Sequence, residues 1–177
     1  MVYDKILTGN DISLRALKLD DCNDNYVNWL NDPLINKYLQ TRWEQQDIST
    51  IRNYVNSISD SDHSYIFAII DNSTNKHVGN IKIGPINFRN NNAEISYLIG
   101  ERSVWGKGYA SQAIKLITDF GFGVLKLHKI QATVISGNDS SEKVLLKNGF
   151  LKEGELRDMY IIDDEYKNAY VYGLIKS

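Results

Sequence analysis

The sequence predicts an α+β domain built on a mixed sheet of about seven strands. Three observations favour this fold class: an alternating apolar and polar stretch near the N-terminus, a hairpin pattern towards the middle, and one long amphipathic helical stretch after it. With 177 residues, of which 42% are hydrophobic, the chain suits one buried core. We therefore expect residues 1–177 to form a single domain.

The N-terminal half alternates between strand and helix patterns. Residues 12–17 alternate apolar and polar positions and predict the first strand. A helix with one apolar face follows and ends before Pro33, because the residue preceding a proline avoids helical dihedral angles. A second helix is predicted over residues 48–58.

The middle and the C-terminal part predict most of the sheet. Residues 64–70 and 77–83 flank a polar turn and predict an antiparallel hairpin, and a fourth strand is predicted over residues 93–99. From Tyr109 to about Gly121, apolar positions at helical spacing predict an amphipathic helix. A strand, a short capped helix and two strands complete the pattern: 128–135, 139–148, 150–156 and 169–175.

Composition excludes several classes of function. Twenty Lys and Arg residues against 22 Asp and Glu residues leave no global basic field for nucleic acid or an anionic membrane. Cys22 is the one cysteine, and three scattered histidines complete no zinc cage, so we expect no disulfide and no metal. Because we find neither a leader-like nor a membrane-spanning apolar stretch in the sequence, we expect the protein to be cytoplasmic.

The turn at residues 103–110 carries the strongest functional signal. Glycines 106 and 108 remove Cβ atoms that would keep a pyrophosphate from the backbone, a helix N-terminus follows, and Lys107 adds a positive charge. A Walker A loop is excluded because no hydroxyl residue follows Lys107, and the dinucleotide fingerprint fits poorly. The turn predicts a phosphorylated ligand; a tight turn that needs glycine only for its dihedral angles is the alternative.

Three segments together resemble the GNAT superfamily of acyl-CoA-dependent N-acetyltransferases, and within it the RimJ/RimL-like branch. The run Trp105-Gly106-Lys107-Gly108-Tyr109-Ala110 is similar to the family's acetyl-CoA motif, with tryptophan at the first position as in many RimJ/RimL-like members. Residues 93–99 resemble the family's fourth strand, and residues 138–150 its Asn-x-x-Ser motif followed by Gly-Phe. The likeness covers about residues 11–176.

The resemblance implies a mostly antiparallel sheet with helices on both faces. Two parallel strands, 93–99 and 128–135, would splay apart and hold acetyl-CoA, the co-substrate, in the slot between them. Main-chain groups would pair with pantetheine while the glycine turn binds the pyrophosphate. The residues expected to bind the cofactor are Leu98, Ile99, Gly100, Trp105, Gly106, Lys107, Gly108, Tyr109, Ala110 and Asn138.

The resemblance further implies direct attack of a primary amine on the thioester, which requires a base because alkylamines have a pKa near 10. Glu94 occupies the family's Ala-Glu-Ile position and is the expected base, acting directly or through water; an exposed or ion-paired structural role is the alternative. Leu145 stands where many members carry a tyrosine that acts as the general acid. Ser141 is therefore the nearest substitute for that acid, with helix capping as its alternative role. Three tyrosines remain candidate acids: Tyr97, Tyr109 and Tyr160.

The implied acceptor site lies between the first helices and the late hairpin. The residues expected there are Trp29, Asn31, Tyr38, Arg42, Arg157 and Tyr160. Two acceptors stay open, a small-molecule amine such as a nucleotide-linked amino sugar, and a protein N-terminal α-amine. The alternative function is a non-catalytic acyl-CoA-binding module, and a homodimer is possible.

Overall fold

The computed structural model describes residues 2–176, so Met1 and Ser177 of the predicted domain lie outside the described residues. In this range the strands are β1 Leu7–Thr8, β2 Ile12–Ala16, β3 Tyr65–Asp71, β4 Lys76–Asn87, β5 Asn92–Ile99, β6 Lys129–Ile135, β7 Leu151–Ile162 and β8 Glu165–Ile175. The α-helices are α1 Asp24–Asn31, α2 Pro33–Asn36, α3 Ile48–Ser59, α4 Tyr109–Gly123 and α5 Asp139–Lys147.

The strands form one sheet in the order β1-β2-β3-β4-β5-β6-β8-β7. Every neighbouring pair is antiparallel except β5 and β6, which are parallel. The predicted α+β class with a mostly antiparallel sheet is therefore confirmed. The described sheet has eight strands because β1, with two residues, is too short to show a periodicity. The last two strands are also longer than predicted, because most of β7 is exposed and shows no buried face.

Strands β5 and β6 part soon after they begin. Their paired residues are Asn92 with Lys129, Ala93 with Ile130, and Glu94 with Gln131. Both strands continue well beyond these pairs without pairing to each other. A gap therefore opens after Glu94, and β5 presents a free edge to it, as expected for the splayed pair.

Apolar cores cover both faces of the sheet. Alternate residues of β3 enter different cores: Phe67 packs with α4 on one face, whereas Ala68 packs with α1 and α3 on the other. Every residue of β3 is consequently buried, which explains its continuous apolar sequence. This arrangement confirms helices on both faces, and it leaves the parting of β5 and β6 as the break in an otherwise continuous sheet.

Helix ends follow local capping chemistry. Asn23 caps α1, Asp32 caps the short α2, and Asn138 caps α5 by accepting from the Ser141 N–H. The predicted capped helix therefore begins at residue 139 as expected, and the residue before it, Asn138, supplies the cap. No described helix is both long enough and apolar enough to cross a membrane.

Candidate functional site

The turn between β5 and α4 depends on two left-handed glycines. Gly106 and Gly108 have φ angles of 77° and 82°, a region that other residues enter only with strain. A Cβ atom at either position would meet no heavy atom within 4 Å. Backbone conformation, and not crowding inside the protein, is therefore what requires glycine here, and the space beside both residues is open.

The backbone N–H groups of this turn divide into two sets. Trp105 N–H donates to Arg102 C=O at 3.1 Å, and Lys107 N–H donates to Val104 C=O at 3.3 Å. No acceptor within residues 2–176 is found for four others, and the first N–H groups of a helix have none inside the helix. These four belong to Gly106, Gly108, Tyr109 and Ala110. The open N–H groups and the positive end of the α4 dipole suit an anion.

The free edge of β5 corrects one expectation. Gly100 N–H donates to Val78 C=O at 3.0 Å, so it faces β4. Because backbone groups alternate in direction along a strand, Leu98 also faces β4, whereas Tyr97 and Ile99 face the gap. The Trp105 indole Nε1 donates to Ile99 C=O at 2.9 Å, which leaves the Ile99 N–H facing the gap. The main-chain groups available to a ligand are therefore those of Tyr97 and Ile99, not of Leu98 and Gly100.

A cleft of about 770 Å³ lies on the α1 and α3 side of β4 and β5. The register pairs Asn80 with Leu98 and Lys82 with Ser96, so these side chains share one face and form its floor. Glu94 lies on the same face, where β5 and β6 part. The walls include Tyr38, Thr41, Trp43, Glu44, Thr133 and Tyr160.

Glu94 is held by a hydroxyl and not by a cation. Its Oε1 accepts a hydrogen bond from Thr133 Oγ1 at 2.9 Å, and the side chain is exposed towards the cleft. Among residues 2–176 no salt bridge includes Glu94, so the ion-paired alternative finds no partner there. The carboxylate is therefore accessible to a water molecule or an amine.

Ser141 and Tyr97 meet across the gap. The Tyr97 hydroxyl lies 2.5 Å from Ser141 Oγ in the first turn of α5. Burial raises the pKa of Tyr97 to about 12, and its hydrogen bond with Ser141 offsets only part of that rise. The phenol therefore keeps its proton at neutral pH. Leu145, one turn further along α5, is fully buried in the core, and Asn138 caps the helix beside Ser141.

Two of the six residues predicted for the acceptor site line the cleft. These are Tyr38 and Tyr160. The Tyr38 hydroxyl donates to Gly137 C=O at 2.9 Å, which ties this wall to the loop after β6.

The other four do not line it. Trp29 is 7% exposed and packs against Gly100, as a core residue. The Asn31 side-chain amide donates a hydrogen bond to Gln46 C=O and accepts one from Gln46 N–H. Arg42 donates to two backbone carbonyls, on Leu39 and Ile161, and so joins its loop to β7. Arg157 is exposed on β7.

Sequence reasoning missed several lining residues. Lys82 and Asn80 alternate within the predicted 77–83 strand, so the hairpin register could have placed them beside β5. Thr133 could have been placed from the parallel pair, since it lies two residues beyond Gln131, the partner of Glu94. Thr41 and Glu44 lie outside regular α-helix or strand, and no periodic signal marks them.

The comparisons with known proteins agree with this geometry. The sequence profile described as the acetyltransferase (GNAT) domain matches residues 11–151. The chain belongs to this family. The uncharacterized N-acetyltransferase p20 of Bacillus licheniformis is 33% identical over 168 residues, covering 93% of each chain. YoaA of Bacillus subtilis, an uncharacterized N-acetyltransferase, is 29% identical over 174 residues and 97% of each chain.

The relatives whose names state a substrate either match only part of this chain or are less similar to it in sequence. The spermidine N(1)-acetyltransferase of Escherichia coli K12 is 36% identical over 91 residues, which are 51% of this chain and 48% of that one. The crystal structure of the Vibrio cholerae spermidine N-acetyltransferase in complex with CoA and spermine has a TM-score of 0.83 at 24% identity, covering 93% of this chain and 95% of that chain. The structural likeness shows the GNAT fold. No described group of three or more His, Cys, Asp or Glu side chains is placed to hold a metal ion.

Proposed function

We propose that this GNAT acetyltransferase moves the acetyl group of acetyl-CoA to a primary amine by direct attack within a ternary complex. One observation carries the proposal: the open N–H groups of Gly106, Gly108, Tyr109 and Ala110 and the exposed Glu94 carboxylate lie at opposite ends of the same free edge of β5. From Glu94 to Ile99 this edge spans about 17 Å at 3.3 Å per residue. An extended pantetheine arm can lie along it as an added strand.

The turn is suited to the diphosphate of coenzyme A. The N–H groups of Gly106, Gly108, Tyr109 and Ala110 and the α4 dipole would neutralise its charge, and Lys107 would add a mobile cation. Pantetheine would bond the main chain of Tyr97 and Ile99, and the Asn138 amide would contact it from the α5 side. Most of these contacts use backbone atoms, so many side-chain substitutions here should be mild.

The chemical step needs a proton acceptor and an oxyanion donor. A neutral amine attacks the thioester carbonyl while Glu94, acting through water, takes the proton that the amine loses. A gap-facing main-chain N–H of β5 is the donor we assign to the oxyanion of the tetrahedral intermediate. When the intermediate collapses, the C–S bond breaks and the thiolate leaves with a hydrogen bond from Ser141. Full protonation is not required, because the reference thiol pKa is near 8.5.

The cleft supports a small amine or a protein N-terminal α-amine as acceptor. Two carboxylates, Glu44 and Glu94, and one cation, Lys82, line it, which favours approach of a protonated amine. A nucleotide-linked amino sugar fits this charge less well, since Arg42 already donates to two carbonyls. The partial match to a spermidine acetyltransferase adds polyamines to the candidates. Trp105 supports a place in the RimJ/RimL-like branch.

The test is release of coenzyme A thiol from acetyl-CoA in the presence of amino sugars, polyamines, amino alcohols and peptides with free N-termini. Hydrolysis without amine is subtracted, and mass spectrometry identifies the acetylated product. We expect amine-dependent release with at least one class. Tight binding of acetyl-CoA without any transfer would instead indicate the acyl-CoA-binding module, and no binding at all would contradict both functions.

A further inference from the structure

Two buried polar atoms without hydrogen-bond partners in residues 2–176 belong to residues that line the same cleft. They are Nδ2 of Asn80 and Oγ1 of Thr41. Asn80 is 5% exposed. Leaving one buried polar group unpaired costs about 1–3 kcal/mol, and native proteins keep few of them. Two such atoms in one cleft are candidate hydrogen-bond partners for a ligand.

His77 determines which way the Asn80 amide points. Its Nε2 lies 2.9 Å from Gly79 C=O and 2.8 Å from Asn80 Oδ1. Because a carbonyl can only accept, Nε2 carries the proton and donates to both oxygens. The amide atom beside His77 must therefore be oxygen. The nitrogen of Asn80, with two N–H groups, therefore lies on the side of the amide away from His77, in a residue that lines the cleft.

Tyr26 is the nearest competitor for the Asn80 nitrogen. Burial raises the pKa of its phenol, and the neighbouring Asn80 amide opposes that rise, so the two groups are close. Even so, Nδ2 makes no hydrogen bond of normal length and angle. A substrate oxygen would therefore not have to displace an established bond.

A second donor, Lys82, lies beside Asn80 in the floor of the cleft. Lys82 follows Asn80 on the same face of β4, and within residues 2–176 it forms no salt bridge. Glu94 lies four residues along β5 from Leu98, the cross-strand partner of Asn80, which is about 13 Å at 3.3 Å per residue. The amine end and the donor end of the cleft are thus separate.

We propose that the acceptor carries, several bonds from its amine, an oxygen that accepts hydrogen bonds, and that Asn80 and Thr41 bind this oxygen. The inference rests on the proposed function. An amino alcohol, amino acid or amino sugar has such an oxygen. A polyamine at neutral pH has only N–H donors and would leave the Asn80 nitrogen unpaired.

The test compares matched probes on the full-length protein with saturating acetyl-CoA. ω-Amino alcohols of three to eight carbons are each compared with the n-alkylamine and the α,ω-diamine of the same length, using kcat/KM. We expect at least one amino alcohol to exceed both partners by about tenfold, the upper range for one net hydrogen bond. Equal values across all lengths, or a preference for the diamines, would overturn the inference.

Two variants test whether Asn80 and Thr41 cause the preference for the amino alcohol. Asn80→Asp keeps an oxygen for His77 but replaces the donor with a carboxylate, so the preference should move from the amino alcohol to the diamine. Thr41→Val, similar in shape, should reduce the preference without reversing it. Asn87→Asp, the same change on the same strand at an exposed position, is the control and should leave the ratio unchanged. A preference that survives both cleft variants would contradict the assignment to Asn80 and Thr41.

The outcomes separate the inference from the function on which it rests. Turnover of all amines without discrimination would disprove the oxygen site and keep the acetyltransferase. No turnover of any probe would count against the inference and, together with the broader amine panel, against the function. If Asn80→Asp does not fold, the wild-type ratios and Thr41→Val still decide the question.

Discussion

The Tyr97 hydroxyl and Ser141 Oγ lie 2.5 Å apart and connect β5 to the first turn of α5 across the gap between β5 and β6. A second tyrosine bonds the same turn: the Tyr172 hydroxyl donates to Glu142 Oε1 at 2.6 Å. One tyrosine therefore contacts the proposed leaving-group donor, and the other contacts its neighbour only. This difference offers a matched comparison.

Tyr97→Phe should lower kcat by up to about tenfold, because the Ser141 hydroxyl loses the donor that polarises it. KM for acetyl-CoA should change little, since the main chain of Tyr97 stays in place. Since the pKa of Tyr97 is raised to about 12, the phenol remains protonated at lower pH, and the loss should be the same from pH 7 to 10. Steady-state kinetics across this range provides the measurement.

Tyr172→Phe is the control for Tyr97→Phe. It removes a buried hydrogen bond to α5 without touching Ser141, so it should reduce thermal stability and leave kcat near the wild-type value. Equal losses of kcat in the two variants would show that Tyr97 acts only by holding the helix.

Glu94→Gln should reduce turnover at neutral pH by roughly 10²–10⁴, the usual contribution of a general base. The deficit should shrink as the pH approaches the amine pKa near 10, because free amine then needs no base in the enzyme. A pH profile of kcat/KM for the best amine makes the measurement. Glu44→Gln, in the same cleft, should raise KM for the amine with little change in kcat. If this variant lost as much kcat as Glu94→Gln, the result would contradict the assignment of Glu94 as the base.

Gly108→Ala should weaken acetyl-CoA binding although the new methyl group meets no atom of the protein. At φ 82° an L-residue costs about 1–2 kcal/mol, so the turn relaxes and its N–H groups lose their common direction. Isothermal titration calorimetry should show a Kd increase of about tenfold or more. Gly123→Ala, at the other end of α4 and also free of close neighbours, should bind normally. Unchanged affinity in folded Gly108→Ala protein would argue against the proposed diphosphate site.

Gly100→Ala should destabilise the fold, because its Cβ would lie 2.0 Å from Cδ2 of the buried Trp29 ring. Overpacking of this kind costs about 1–3 kcal/mol. Chemical denaturation should report that loss, while Gly154→Ala on β7, with no atom within 4 Å of the new Cβ, should stay close to wild type. An unchanged free energy of unfolding for Gly100→Ala would mean that Trp29 can move aside.

Much of the fold could be predicted because burial leaves a periodic trace in the sequence. The alternation in the central hairpin and the helical spacing of Ala113, Ile114 and Ile117 each record one face that packs on a core. The glycine turn was also readable, since the left-handed φ angles at Gly106 and Gly108 restrict the residue type locally.

The functions of polar side chains were harder to predict. Asn31 and Arg42 lie near the expected acceptor site in sequence, yet both are engaged with backbone groups of Gln46, Leu39 and Ile161. Such bonds depend on where distant segments meet, and their partners carry no signal in the chain. Leu98 and Gly100 were also assigned to the ligand. The side of β5 that a backbone group faces becomes visible only when one hydrogen bond to β4 is known.

The sequence by itself determined the pattern of strands and helices and the glycine turn, since each depends on residues close together in the chain. Glu94 became the candidate base through the family resemblance. Only the tertiary structure decided what surrounds them. Thr133 reaches Glu94 from 39 residues away, and Asn80 and Thr41 share a cleft although they belong to different elements. Strand register and packing bring these groups together, and the local periodicity of the sequence predicts neither of them.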